Sequence, residues 1–254
     1  MPTGSPTELG RRDFLRLAAA AAALAWLGAS PLRAWAQAAG TATPLKIATI
    51  GSGREGGALG TLFAKAGHPV MFSSRHPENL KELVAGAGAN AKAGAVEEAV
   101  GFGDVVLLVV PYTAIEQIGK DYGKALAGKQ LVLDVSNPIP RRDGEDFVKQ
   151  VNDQGGAGVV SQKFLPGAKI VRAFNAIGSG QLAELSQKKG EVGVPIAGDD
   201  QQAIGLATQL IREIGFEPVL VGGLAMGKYL VPGTPLAGEH SPDELKQIAS
   251  TLKA

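Results

Sequence analysis

The sequence predicts a doubly wound α/β fold built on a mostly parallel sheet, and three observations predict it. From Leu45 onward, short aliphatic or β-branched runs alternate with longer helical stretches, the order that builds strand–helix–strand units. The strand runs are almost wholly apolar rather than alternating, as expected of strands covered on both faces. The first strand runs directly into Ile50-Gly51-Ser52-Gly53-Arg54-Glu55-Gly56, a G-x-G-x-x-G turn that opens a helical pattern.

Seven strands are predicted, over residues 46–50, 70–73, 104–110, 130–135, 169–174, 192–197 and 217–221. Helical patterns lie between and after them, over 56–66, 77–85, 96–100, 113–126, 181–185, 200–214 and 242–252. Asp199-Asp200 reads as an N-cap pair for the helix that starts at Gln201, not as a catalytic dyad. The polar, Gly-rich stretch 141–167 reads as a long irregular connection or lid.

Composition removes several classes of function. The 254 residues include no cysteine, which excludes disulfides, thiolate metal sites, iron–sulfur clusters and thiol catalysis. The three histidines, His68, His76 and His240, are scattered and predict no metal site. A formal charge of +1 gives no basic stripe for nucleic acid. Glycine is abundant, 35 residues, about twice the usual ~7%, which suits backbone that approaches a ligand closely.

The first 38 residues read as an address. Arg11 and Arg12 precede Asp13-Phe14-Leu15-Arg16, and an unbroken apolar run follows from Leu17 to Ala29. That run is too short for a ~20-residue membrane span and fits a signal-peptide core. Ala34 and Ala36, or Ala36 and Ala38, offer a small-residue cleavage site. The pattern resembles the twin-arginine (Tat) export consensus, with Gly10 and Arg16 as departures from it. The expectation is therefore a Tat-type signal over 1–38, a linker over 39–44 and one nucleotide-binding domain over 45–254. The Tat translocon is then a partner during export, and the mature protein is expected in the periplasm.

The glycine turn predicts a Rossmann-type dinucleotide site. Gly51 permits the tight turn, Gly53 lets backbone approach a pyrophosphate, and Gly56 lets the helix pack on the strand. The helix N-terminus then offers free amides and a positive dipole end to the phosphates. The end of strand two selects the nucleotide. An NAD site would place an acid about 20 residues on, yet the chain reads Val70-Met71-Phe72-Ser73-Ser74-Arg75-His76. Ser73 and Ser74 can donate to a phosphate, and Arg75 adds a forked cationic donor. NADP(H) is predicted over NAD(H). The other reading of these residues is a solvated turn before Pro77.

The segments IATIGSGREGGALGTLFAKAGHPVMFSSRHPE, VVLLVVPYTAIEQI, LVLDVSNP and IVRAFNAIG together resemble the deazaflavin-dependent NADP reductases (coenzyme F420 type), whose relatives include NADPH-binding domains of metalloreductases. The resemblance covers about 45–223 and implies hydride transfer between NADPH and a flavin-like ring in one crevice. It implies that Ser52, Gly53, Arg54 and Glu55 hold the pyrophosphate and that Ser73, Ser74 and Arg75 hold the 2′-phosphate. Val110, Pro111 and Tyr112 would pack on the adenosine or nicotinamide ribose side. Ser136, Asn137 and Pro138, with Phe174, Asn175 and Ala176, would approach the nicotinamide and its acceptor. Each of these triplets closes a predicted strand, where α/β sheets bind ligands; an ordinary turn and a helix cap are the competing readings. The resemblance also implies an apolar C-terminal segment that completes the acceptor site and a homodimer. Here residues 223–240 hold three glycines and two prolines after Ala225, so the chain departs from a continuous helix. Hydride transfer between aligned rings needs positioning, and no proton-transfer catalyst is assigned. A binding module that keeps the fold without turnover is the alternative.

Overall fold

The structure is a computed structural model, and it describes residues 44–253. The expected signal and most of the linker lie outside the described residues. Eight strands form one sheet in the order β3-β2-β1-β4-β5-β6-β7-β8. They are β1 Ile47–Ile50, β2 Val70–Ser73, β3 Ala91–Gly94, β4 Val105–Leu108, β5 Leu131–Asp134, β6 Ile170–Arg172, β7 Gly193–Gly198 and β8 Glu217–Gly222. The first six are parallel and run 3-2-1-4-5-6, the doubly wound order whose direction of winding reverses between β1 and β4. Strand β7 pairs antiparallel to β6, and β8 pairs parallel to β7.

Apolar strands are buried on both faces, as their composition predicts. Side chains alternate between two clusters: Ile47, Leu131 and Leu133 point to one, and Ala48, Ile50 and Val132 to the other. Helices α1 (Arg54–Lys65), α8 (Ser179–Leu185) and α9 (Gln201–Glu213) cover the first cluster through Leu59, Phe63, Leu182 and Leu210. On the other face lie α3 (Val96–Phe102), α4 (Ile115–Ala127) and α7 (Ala157–Phe164), which contribute Val100, Leu126 and Val160. The remaining helices are α2 (Lys81–Ala87), α5 (Pro140–Asp143), α6 (Glu145–Asp153) and α10 (Pro242–Ser250).

Two features differ from the sequence expectation. Strand β3, Ala-Lys-Ala-Gly, has no aliphatic run to signal it; it is a short edge strand held only by β2, with Lys92 exposed. The stretch 141–167 is helical, not irregular, because Val151, Ala157, Val160 and Leu165 bury a stripe against the sheet. As the sequence leads one to expect, residues 223–240 form no continuous helix: they begin with a 3-10 helix, Leu224–Tyr229, and α10 starts at Pro242, after a capping box formed by Ser241 and Glu244. The N-cap expectation holds for Asp200, whose Oδ1 accepts from the Ala203 N–H at 2.8 Å. Asp199 instead accepts from the Leu224 N–H at 3.0 Å, tying the 3-10 helix to the end of β7.

Candidate functional site

The carboxyl ends of β1, β4, β5 and β6 surround a cleft of about 350 Å3 at the point where the winding reverses. Its rim at β1 is the phosphate loop. Gly51 holds φ +95°, and a Cβ there would lie 2.1 Å from the Val109 carbonyl oxygen. A Cβ at Gly56 would lie 2.0 Å from the Gly51 carbonyl oxygen, so the turn and the helix close on each other through both glycines. Gly53 differs: nothing lies within 4 Å of its would-be Cβ, which leaves open space over the loop. Gly53 caps α1 with no side-chain hydrogen bond, so no side chain competes for the first amides of a 12-residue helix. An open backbone cradle at a helix N-terminus fits a pyrophosphate. Ser52 is tied back to strand β1, its Oγ 2.8 Å from Thr49 Oγ1.

At the end of β2 the predicted set separates. Ser73 is fully buried and its hydroxyl donates to the Thr49 carbonyl at 2.5 Å, so it knits β1 to β2. This corrects the expectation that Ser73 faces a 2′-phosphate. Ser74 is half-buried and its Oγ accepts from the His76 N–H at 3.1 Å. Arg75 is exposed, and no ion pair engages it among the described residues.

The β4 to β6 ends line the other half of the cleft. Val110 and Pro111 line it, but Tyr112 does not. Its ring is fully buried against Phe147, and its hydroxyl donates to the Ala157 carbonyl and sits 3.1 Å from Ser161 Oγ. Burial and the nearby Asp134 charge hold its phenol well above the usual range. Tyr112 is therefore a core residue joining the β4 end to α7, a second correction. Ser136 and Asn137 line the cleft, whereas Pro138 is buried outside it. Phe174 and Asn175 line it too. Ala176 instead gives its carbonyl to the Gly238 N–H at 3.1 Å.

What positions Ser136, Asn137 and Asn175 is a buried ion pair that motif reasoning missed. Asp134 and Arg172 are register neighbours at the ends of β5 and β6, both fully buried. Arg172 Nη1 donates to Asp134 Oδ2 at 2.6 Å. Its Nη2 donates to the Ser136 carbonyl at 3.0 Å and to Asn137 Oδ1 at 3.2 Å. Asp134 also accepts from the Ser136 N–H at 2.9 Å and the Ser161 hydroxyl at 2.7 Å. Asn137 Nδ2 donates to the Asn175 carbonyl at 2.5 Å, and Asn175 Nδ2 donates to the Asp134 carbonyl at 3.1 Å. Phe174 enters this network at φ +59°, a left-handed conformation rare for a bulky residue, with its ring packed edge-on to Phe216. The signal was present in the sequence: Asp134 and Arg172 are the charges that end two otherwise apolar strands.

Glu55 is the other surprise. Glu55, in the first turn of α1, is among the residues that line the cleft, and its Oε1 is shut off from solvent without a hydrogen-bond partner. Burial pushes its pKa up to about 7, against a smaller downward pull from the Ser179 N–H. An anionic carboxylate would repel a pyrophosphate, so only the Glu55 backbone suits the role that resemblance implied for it. Arg54 and Arg142 bring positive charge to the same cleft; Arg142 Nη2 donates to the Asn137 carbonyl at 2.6 Å.

With this geometry in place, comparison with known proteins is specific. Residues 46–138 match the family described as NADP oxidoreductase, coenzyme F420-dependent. The matched segment runs from β1 through β5 and contains the phosphate loop, Arg75 and Ser136-Asn137-Pro138. The chain is 29% identical over 186 residues to the metalloreductase STEAP3 of Rattus norvegicus, covering 72% of this chain and 35% of that protein. It is 28% identical over 134 residues to a glycerol-3-phosphate dehydrogenase [NAD(P)+] of Staphylococcus epidermidis, covering 46% and 40%. It thus spans well under half the length of these curated relatives. Among solved structures, a hypothetical protein of Sinorhizobium meliloti is 29% identical with a TM-score of 0.64, covering 79% of this chain and 96% of that one. A candidate F420-dependent NADP-reductase of Arthrobacter sp. FB24 shares the fold at 20% identity and a TM-score of 0.62, covering 72% and 87%. The described residues therefore contain a Rossmann-type NADP-binding fold, and residues 46–138 are similar to the NADP oxidoreductase family.

Proposed function

We propose that this chain is an exported NADPH-dependent oxidoreductase that moves a hydride between NADP(H) and a deazaflavin- or flavin-like acceptor. The observation that carries the reading is the shared cleft. The open phosphate loop and the β4, β5 and β6 ends meet there, and all of these but the β6 end lie within residues 46–138, which match the family. In a doubly wound sheet the first βα turn takes the pyrophosphate, and the β4–β6 half takes the nicotinamide. Ser74 and Arg75, at the end of β2, are the groups left to meet a 2′-phosphate once Ser73 is assigned to the strand. When bound, the dihydronicotinamide supplies the hydride. The chain's own residues orient the ring, and the Asp134–Arg172 network fixes the loops that do so.

The test adds NADPH to the purified protein and follows the nicotinamide absorbance with a deazaflavin, a flavin and a quinone in turn. Oxidation with the deazaflavin or the flavin is expected. Tight NADPH binding with no oxidation by any acceptor would point to a binding module instead.

Export rests on residues 1–38. Both tryptophans, Trp26 and Trp35, lie in that segment, so the processed protein is expected to show no tryptophan emission. Changing Arg11 and Arg12 to Lys is expected to leave the emissive, unprocessed chain in the cytoplasm. Unchanged appearance of the processed protein outside the cytoplasm would refute the twin-arginine assignment.

A further inference from the structure

Three charged residues line the cleft: Arg54, Glu55 and Arg142. Arg54 and Glu55 stand in the first turn of α1, at the phosphate loop. Arg142 comes from α5, beyond the β5 end, where its Nη2 donates to the Asn137 carbonyl. Asp143 sets the direction of the guanidinium: Nε donates to its Oδ1 at 3.0 Å and Nη2 to its Oδ2 at 2.8 Å. The same Oδ2 accepts from the Ile139 N–H at 2.8 Å, and the Asp143 side chain is 1% exposed. Nε and Nη2 are thus engaged within the loop, whereas Nη1 makes no hydrogen bond among the described residues. The Arg142 side chain is 41% exposed. Ile139 lines the cleft as well, and it is one of two large apolar side chains left exposed among the described residues.

A guanidinium held by its own loop through two nitrogens presents the third as a directed donor. An exposed apolar side chain next to such a donor suits a flat ring with a polar edge. We propose that Arg142 Nη1 donates to the carbonyl edge of the ring that accepts the hydride, with Ile139 against the ring face, and that it thereby favours the reduced acceptor over the oxidised one. The inference rests on the acceptor reading above.

The chemistry asks for a donor of this kind. A flavin or deazaflavin ring that takes the hydride takes its electron pair with it, and NADPH becomes NADP+. Negative charge then gathers along the pyrimidine edge of the ring until a proton from solvent neutralises it. A donor fixed beforehand where charge develops needs no reorganisation during the reaction, and groups near that edge tune the ring's electronics. Asp143 offsets part of the Arg142 charge, so the cleft offers a directed, charge-assisted hydrogen bond and not a free cation. The placement agrees with the nucleotide reading. Asn137 links Arg142 to the β6 end through its own bond to the Asn175 carbonyl, and the strand ends joined in this way are those expected to hold the nicotinamide. Arg54 remains at the loop for the phosphates.

Anaerobic calorimetric titration with riboflavin and with deazariboflavin tests the proposal on the full protein, on Arg142→Met and on Arg142→Lys. Oxidised ring is added to the NADP+ complex and reduced ring to the NADPH complex, pairs between which no hydride can move. For the natural chain, Kd(oxidised)/Kd(reduced) is expected to exceed that of Arg142→Met by about tenfold, the size of one charge-assisted hydrogen bond at a part-exposed site. Arg142→Lys, which keeps the charge and loses the fork, should resemble Arg142→Met. Losing the bond to the Asn137 carbonyl could shift the loop, but a shifted loop weakens both forms alike and leaves the ratio as it was. An unchanged ratio in Arg142→Met, or a ratio of natural size in Arg142→Lys, would therefore overturn the inference and leave the acceptor site standing. A natural chain that binds NADPH but neither ring in either form would overturn the acceptor reading itself, and the inference with it.

Discussion

Asp134→Ala is expected to cost about 3–5 kcal/mol of folding stability, the range for removing one partner of a buried ion pair. Arg172 would keep its charge in a fully buried position, and Asp134 is the carboxylate paired with it among the described residues. Its stem packs directly on Gly158 and Gly227, where an added Cβ would lie 3.1 and 2.7 Å from the Arg172 Cδ. Domains of this size are stable by roughly 5–15 kcal/mol, so the loss shows as a large drop in the urea midpoint. The pair is not itself a source of that stability. Asp134→Leu combined with Arg172→Met should recover much of the loss, because the desolvation of two charges disappears with them. The double variant should nevertheless bind nucleotide poorly. The hydrogen bonds from Arg172 to Ser136 and Asn137, and the bond from the Ser136 N–H to Asp134, set the loops that line the cleft. Restored stability with unchanged NADPH affinity would show that those loops hold their position without the pair.

Arg75→Ala is expected to weaken NADPH binding by about 10- to 100-fold while leaving NADH binding nearly unchanged. A hydrogen bond to a charged partner contributes about 1.5–3 kcal/mol, and the Arg fork matches a phosphate in two contacts. The lower end of that range suits an exposed side chain such as this one, where water and salt screen the contact. Ser74→Ala should have a smaller effect in the same direction, and Ser73→Ala should act on stability rather than on affinity, since the Ser73 hydroxyl is spent on the Thr49 carbonyl. Isothermal titration of the three variants with both nucleotides separates these roles. A loss of NADPH affinity in Arg75→Ala that NADH shares in equal measure would move the 2′-phosphate elsewhere.

The parts legible in the sequence were those that a local rule governs. Apolar strand composition announced the parallel sheet, and Gly51, Gly53 and Gly56 announced the turn, because each glycine answers a steric demand set within a few residues. Strand β3 was not legible: Ala-Lys-Ala-Gly has no strand preference, and pairing with β2 alone makes it one. The helices between 140 and 164 were hidden because their glycines and polar residues read as loop. Their buried stripe has meaning only against a sheet that is distant in sequence. In the site, Ser73 and Tyr112 sit at motif positions, yet the pleat of β2 and the packing of α7 turn both side chains inward. Asp134 and Arg172 are 38 positions apart in the chain and become partners only through strand register. Glu55 was visible as a motif residue, but its burial depends on α8, which no local rule brings against α1.

The central claim is that the cleft at the sheet's switch point takes NADP(H), with its 2′-phosphate at Arg75 and its nicotinamide at the β4–β6 ends. Equilibrium titration of the purified protein with NADPH and NADH, at one pH and one salt concentration, tests it most directly. The account predicts saturable 1:1 binding of NADPH at least tenfold tighter than NADH. Equal affinities for the two, or no binding of either, would contradict it.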